Sequence, residues 1–336
     1  MNSWHSWSPN GKWLVFSSKA NTPYTQLFLT HMDEQGHGTP PILLSQLSAP
    51  DRAANIPEFV NLPPDAISHI VERFVDDLSY ARTAQENVQA NDPKHAAEFY
   101  RKALAINPDN AIVQSQLAGL LIDAGQLQEA QGHLSRALSL DPNNVNANYY
   151  LGNLLSKQQR YEEAIRSWKR VMELDPKHSQ SRNNMGGTLL GLGRVAEAEK
   201  VLKAAIIADP NNAGAHHNLG VALSRLGRQK EAVQQWLQEV RVGGDDFDAY
   251  QNLGTAMLDS GDIDEAIKYL QSALRLNSKS VQSMINLGIA YDRKGDAAQA
   301  VRVTEQAAQL AQMTRQAELA QECERRLLQY RSKQQH

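Results

Sequence analysis

The residues Ala118, Gly152, Gly186, Gly220, Gly254 and Gly288 follow one another at steps of 34. An alanine stands twelve places after each, a leucine comes just before nearly all of them, and Pro108, Pro142, Pro176 and Pro210 keep the same step. A unit of that length holds two helices, too little to bury its own apolar face, so copies must stack and share a continuous core. The spacing therefore predicts a mainly α chain, an α-solenoid, whose work is binding rather than chemistry.

Counting back from the prolines gives seven units, at 77–110, 111–144, 145–178, 179–212, 213–246, 247–280 and 281–314. Each opens with a helix that carries a leucine and then a small residue at its seventh and eighth positions, as in Leu151-Gly152 and Leu287-Gly288. At the fifteenth position Gly125, Gly193, Gly227, Gly261 or Gly295 supplies the backbone freedom that a turn between helices needs. The second helix sets Ala96, Ala130, Ala164, Ala198, Ala232, Ala266 or Ala300 against the first, with a bulky residue four places on, such as Tyr100, Trp168, Trp236 or Leu270. Small against large makes an interlocking layer. Asn-Pro or Asp-Pro then ends the helix, because the residue before proline is pushed out of helical geometry.

The departures are Thr83-Ala84 for Leu-Gly, Gly244 and Ser278 for proline, and Glu239 for a small residue. Beyond the last unit, 315–332 reads as an amphipathic capping helix with Ala317, Leu319 or Ala320, Cys323, Leu327 and Leu328 on its apolar side. Before the first unit, Pro63-Pro64 introduces Ile67, Ile70, Val71, Phe74 and Leu78 at helical spacing, a leading helix within 61–76 that runs into the repeats. The chain thus divides into 1–60, a linker and leading helix at 61–76, repeats at 77–314, and a cap and tail at 315–336.

The repeated positions resemble the tetratricopeptide repeat family over 77–314. The resemblance implies a right-handed solenoid of seven helix pairs, curled so that the first helices line a concave groove. The sixth positions, which would face that groove, read Arg82, Gln116, Tyr150, Asn184, Asn218, Asn252 and Asn286, so the last four units carry an unbroken run of asparagine. An asparagine amide both donates and accepts, and a ladder of them can pair with successive peptide groups of an extended chain whatever its side chains. The run is similar to the asparagine ladder of the O-linked N-acetylglucosamine transferases, which grips polypeptide by its backbone; only the ladder carries over. A second reading stays open, in which the asparagines pack against the neighbouring unit. Tyr149, Asn183, His217 and Gln251 at fifth positions, with Asn153 and Thr255 at ninth positions, complete a polar, nearly uncharged surface. The expected peptide-binding set is Asn184, Asn218, Asn252, Asn286, Tyr150, Asn183, His217 and Gln251. Without lysine at the fifth positions, the carboxylate clamp that captures chaperone tails is disfavoured. Arg225 and Arg293, at thirteenth positions, read as solvated charges or as contacts for an acidic ligand.

Residues 1–60 follow another pattern, with strands at 13–16, 26–30 and 42–44 separated by turns at 8–11 and 33–36. The run from Trp7 through Ser8-Pro9-Asn10-Gly11 to Phe16 resembles one blade of the TolB-like propellers, although a propeller closes only with several blades. Three readings stay open: the end of a larger propeller–repeat protein, a blade that pairs with another chain, or a remnant. The first would place the protein in the bacterial periplasm; a complete chain would be cytoplasmic.

Other function classes recede. A formal charge of −3 and a pI near 6.4, with basic and acidic residues interspersed, give no basic stripe for nucleic acid. Cys323 stands alone, which excludes a disulfide framework and a cysteine-based zinc site, and reads as a solvated or half-buried thiol. No apolar run reaches the roughly 18 residues of a membrane span. His216 and His217 are adjacent and point to different sides of a helix, and no histidine pair has metalloprotease spacing, so neither a metal set nor a cofactor is read. Gly187, Gly191 and Gly193 lack the strand and the Lys-Ser or Lys-Thr of a phosphate loop. The expectation is a non-enzymatic interaction scaffold for a protein or peptide. Its alternatives are a recruiting or regulatory part of a larger envelope protein, or a module that oligomerises; the oligomeric state itself is not read.

Overall fold

The step of 34 reappears in the backbone as a helix start. The computed structural model describes residues 5–7, 13–18, 26–31, 33, 42–43 and 77–333. The chain divides into two compact units, 1–125 and 126–336.

The first unit holds strands β1 (His5–Trp7), β2 (Trp13–Ser18), β3 (Gln26–His31) and β4 (Ile42–Leu43), and helices α1 (Asp77–Gln89), α2 (Pro93–Ile106) and α3 (Ala111–Asp123). The strands form one antiparallel meander in chain order, with Trp13 opposite His31 and Leu29 opposite Ile42. β1 adds a strand that the sequence pattern did not announce. The turn expected at 8–11 and the leading helix expected within 61–76 lie outside the described residues. α1 packs on α2 and α2 on α3, with Ala84, Ala96, Tyr100 and Ala103 buried.

The second unit is an α-solenoid. Its helices are α4 (Leu127–Leu140), α5 (Val145–Lys157), α6 (Tyr161–Leu174), α7 (Ser179–Gly191), α8 (Val195–Ala208), α9 (Ala213–Arg225), α10 (Gln229–Gly243), α11 (Phe247–Ser260), α12 (Ile263–Leu276), α13 (Val281–Lys294), α14 (Ala297–Met313) and α15 (Ala317–Lys333). Each packs on the next in sequence. First helices start at a cap in the thirty-fourth position of the unit before: Asn144, Asn212 and Asp246 accept from the backbone N–H three residues on, at 2.9, 2.9 and 3.0 Å. His178 does the same through Nδ1 and Ser280 through Oγ, both at 3.2 Å. Each cap is worth about 1 kcal/mol.

Layers interlock as the small and large positions foretell. Ala164, Ala198, Ala232, Ala266 and Ala300 are fully buried, and the side chains four places on press against the glycines of the first helices. A Cβ added to Gly152 would lie 2.6 Å from Trp168 Cδ1, and one added to Gly220 would lie 2.6 Å from Trp236 Cδ1. At the turn between helices Gly193 and Gly227 adopt φ of 73° and 75°, and Gln159, at the same place in its own unit, is held at 61°.

The cap is present as α15, packed on α13 and α14 through Cys323, Leu327 and Tyr330. Two expectations change here. Leu328 and Ala317 are exposed, because Tyr330, not Leu328, continues the i, i+4, i+7 stripe begun by Cys323 and Leu327. Cys323 is fully buried rather than solvated, and burial pushes its thiol pKa up.

Candidate peptide-binding surface

First helices of neighbouring units touch, α5 with α7, α7 with α9 and α11 with α13, which brings fifth, sixth and ninth positions of successive units side by side. Three of the four asparagines use their amide N–H groups on the preceding unit. Asn184 Nδ2 donates to Asn153 Oδ1 at 2.9 Å and to the Tyr149 hydroxyl at 3.3 Å. Asn218 Nδ2 donates to Asn183 Oδ1 at 2.8 Å, and Asn286 Nδ2 to Thr255 Oγ1 at 3.0 Å. The Asn252 side chain makes no hydrogen bond among the described residues. The reason lies in the ninth position, which offers an acceptor at Asn153 and Thr255 and offers none at Val221. Gly187 has no side chain there, so Asn218 turns to the fifth position instead.

The other expected contacts are also engaged within the solenoid. Gln251 Oε1 accepts from Ser283 Oγ at 2.7 Å and from Ser280 Oγ at 3.3 Å. Tyr149 lies against Tyr150 and His178, with ring centroids 5.3 and 5.0 Å away. His217 is half-buried, with Nδ1 2.9 Å from Glu239 Oε1. The sequence missed what Arg225 and Arg293 do: Nη1 of each donates to the carbonyl 35 residues back, Leu190 at 2.7 Å and Leu258 at 2.5 Å. They satisfy carbonyls at the ends of α7 and α11, a use of arginine that complements the negative end of a helix.

Two histidines respond to opposite environments. His217 has its pKa raised, first by the hydrogen bond to Glu239 and then by the charges of Glu239, Asp248 and Asp246 against an opposing desolvation. Desolvation by burial lowers the pKa of His178. His216, buried, is held by Gln235 Oε1 at 2.8 Å and the Pro210 carbonyl at 3.0 Å.

Trp168, Trp236 and Glu239, marked in the sequence only as bulky or irregular positions, also bring polar groups to these helices. Trp168 Nε1 donates to Asn153 Oδ1 at 3.2 Å, whereas Trp236 Nε1 is buried without a partner among the described residues, since Val221 stands where Asn153 stands. Glu239, noticeable in the sequence only as a break in a run of small residues, is buried at 5% exposure with Oε2 unpartnered.

Comparison with known proteins bears on the fold. A Pseudomonas aeruginosa protein solved for the functional characterization of pilF is 22% identical, with a TM-score of 0.57 over 62% of this chain and 94% of its own. PilW, a widely conserved type IV pilus biogenesis factor, is 21% identical, with a TM-score of 0.54 over 63% of this chain and 96% of its own. YrrB, a TPR protein with an unusual peptide-binding site, is 20% identical, with a TM-score of 0.50 over 57% and 97%. At these identities the likeness speaks for the fold. No curated protein matches in sequence. Among the described residues no helix is long and apolar enough to cross a membrane. The family matches begin at residue 87, so the resemblance of the strands to a propeller blade rests on their sequence alone. Two family models, both of the tetratricopeptide repeat, match 87–136 and 121–185, and 183–249 and 252–313, and on that coverage the chain belongs to the tetratricopeptide repeat family, whose members act as protein-interaction scaffolds.

Proposed function

We propose that the chain is a non-enzymatic scaffold that holds an extended peptide or partner helix along α7, α9, α11 and α13. The observation that carries this reading is the run of asparagines at one register, in which Asn252 keeps its whole amide unused and Asn184 and Asn218 keep an unused side-chain carbonyl. The inter-unit bonds support it as well, because an amide held from one side is presented from the other at little further entropic cost. The likeness to YrrB, itself a peptide-binding repeat protein, fits the same class of partner.

Peptides selected from a random displayed library against the full chain provide the test, read by fluorescence anisotropy. Recognition through the backbone predicts that N-methylation of single peptide amides weakens binding about tenfold at the gripped positions, roughly one charge-free hydrogen bond. Alanine replacement of peptide side chains costs less. Asn252→Ala weakens binding while leaving the circular dichroism unchanged. Selection that yields no binder, or affinity indifferent to N-methylation and to Asn252→Ala, overturns the reading. The four-stranded meander motivates a second reading, a recruiting part of a larger propeller–repeat protein, and blade-like segments encoded upstream in the same reading frame are what it requires.

A further inference from the structure

Beside the break in the repeat at Glu239 and Gly244, three side chains that are not rungs of the asparagine ladder come together. His217 comes from α9, Glu239 from α10, and Asp246 is the cap of α11, and one donor atom from each lies within 4.8 Å of the others. Glu239 occupies a position that is alanine or valine in the other units, so its carboxylate is carried into the interior of the layer. His217 Nδ1 occupies only Oε1; Oε2 is buried with no donor among the described residues. A buried carboxylate oxygen left unpaired costs more than a buried hydrogen bond returns, and in protein interiors such charges are paired or coordinate metals.

We propose that His217, Glu239 and Asp246 form a binding site for a divalent transition-metal ion of the zinc class. One imidazole nitrogen and two carboxylates are a donor set that zinc accepts, with metal–ligand distances near 2.0–2.2 Å and open positions filled by water. Tetrahedral ligands around such an ion lie about 3.4 Å apart, so the group has only to contract by side-chain rotation, and Asp246 is exposed and able to make that movement. Its cap role does not compete, because Oδ1 alone accepts from Ala249 N at 3.0 Å. His216 is no rival, since both its nitrogens are engaged by Gln235 and Pro210. Asp248 contributes further negative potential at His217.

The test is titration of tag-free full-length protein with Zn²⁺ alone, by calorimetry with a competing chelator. The expected result is one ion per chain, with affinity reduced at least tenfold in both Asp246→Asn and Glu239→Gln. Asparagine caps a helix as well as aspartate and already does so at Asn144 and Asn212, so Asp246→Asn decides the matter even if Glu239→Gln fails to fold. No binding up to about 0.1 mM Zn²⁺, or binding that survives Asp246→Asn undiminished, overturns the proposal.

Discussion

The helix pair α5–α6 and the pair α9–α10 are built on one plan, and among their differences the ninth-position residue, Asn153 in one and Val221 in the other, has the widest effect. In the first, Asn153 accepts from Trp168 and from Asn184 of the next unit, tying a second helix and a neighbour through one oxygen. In the second, Val221 accepts nothing, and both Trp236 Nε1 and Asn252 are left without a partner. The packing shape is kept, since both indoles press on a glycine at the same closeness. Apolar fit and polar pairing are therefore separable in these repeats. Where pairing is relaxed, the half-buried Asn252 amide is left uncommitted, while Trp236 Nε1 stays enclosed.

The largest effect expected is the one the two pairs share: Trp168→Ala and Trp236→Ala each cost about 3–5 kcal/mol by emptying an equivalent buried space, and Trp168→Ala is the costlier by the hydrogen bond to Asn153 that it also removes. Urea unfolding in which the two variants differ by more than about 1–2 kcal/mol, the worth of that hydrogen bond, would mean that the pairs are not packed alike. The phenylalanine variants sharpen the contrast. Trp168→Phe loses a hydrogen bond, whereas Trp236→Phe removes a buried N–H that has no acceptor, so the first is the costlier by about 1–2 kcal/mol. Installing the missing acceptor runs the comparison backwards. Val221→Asn raises stability by about 1 kcal/mol and weakens peptide binding by drawing Asn252 into the fold; unchanged stability and unchanged binding together would break the argument. A smaller gain, about 1 kcal/mol or less, comes from Gln159→Gly, which relieves a left-handed backbone that the equivalent residues of α7–α8 and α9–α10 meet with glycine.

The smallest effect is in the pH profile, where the two pairs carry opposite signs. The pKa of His217 is raised above the usual 6.5, so its contribution to stability is complete below that value and is lost as pH rises through the folded pKa. The pKa of His178 is lowered below 6.5, so its contribution is present above that value and is lost as pH falls. His178→Asn keeps a cap and flattens the acid side of the stability profile, and His217→Asn flattens the other side. A profile in which the two substitutions act on the same side contradicts this assignment.

Helix limits were legible in the sequence because they depend on neighbours along the chain: proline two places before a cap, glycine at a left-handed turn. Gln159 escaped notice because the same turn can be made by a residue that simply bears the strain. The asparagine run was legible as a pattern, but not the fact that three of its amides serve the preceding unit, since that depends on what stands at the ninth position of another helix. Arg225 and Arg293 looked solvated because their acceptors are backbone carbonyls, which leave no mark in a sequence. Searching for histidine beside histidine could not find His217 with Glu239 and Asp246, which meet only when α9, α10 and the start of α11 are folded together.

The two arginines that reach back 35 residues have a consequence for the order in which the solenoid opens. They join α7 to α9 and α11 to α13, and the corresponding residue on α11 is Asp259, which has no proton to give a carbonyl. On the other side Arg194 and Arg228 pair with Glu162 and Glu199 of the unit before, while the matching place ahead of α12 is Asp262. Both series of ties lapse at the same seam, between α10 and α11. Amide exchange should then proceed in two steps, the helices before the seam and those after it each parting as a block, and an ion bridging His217, Glu239 and Asp246 would merge the two steps into one.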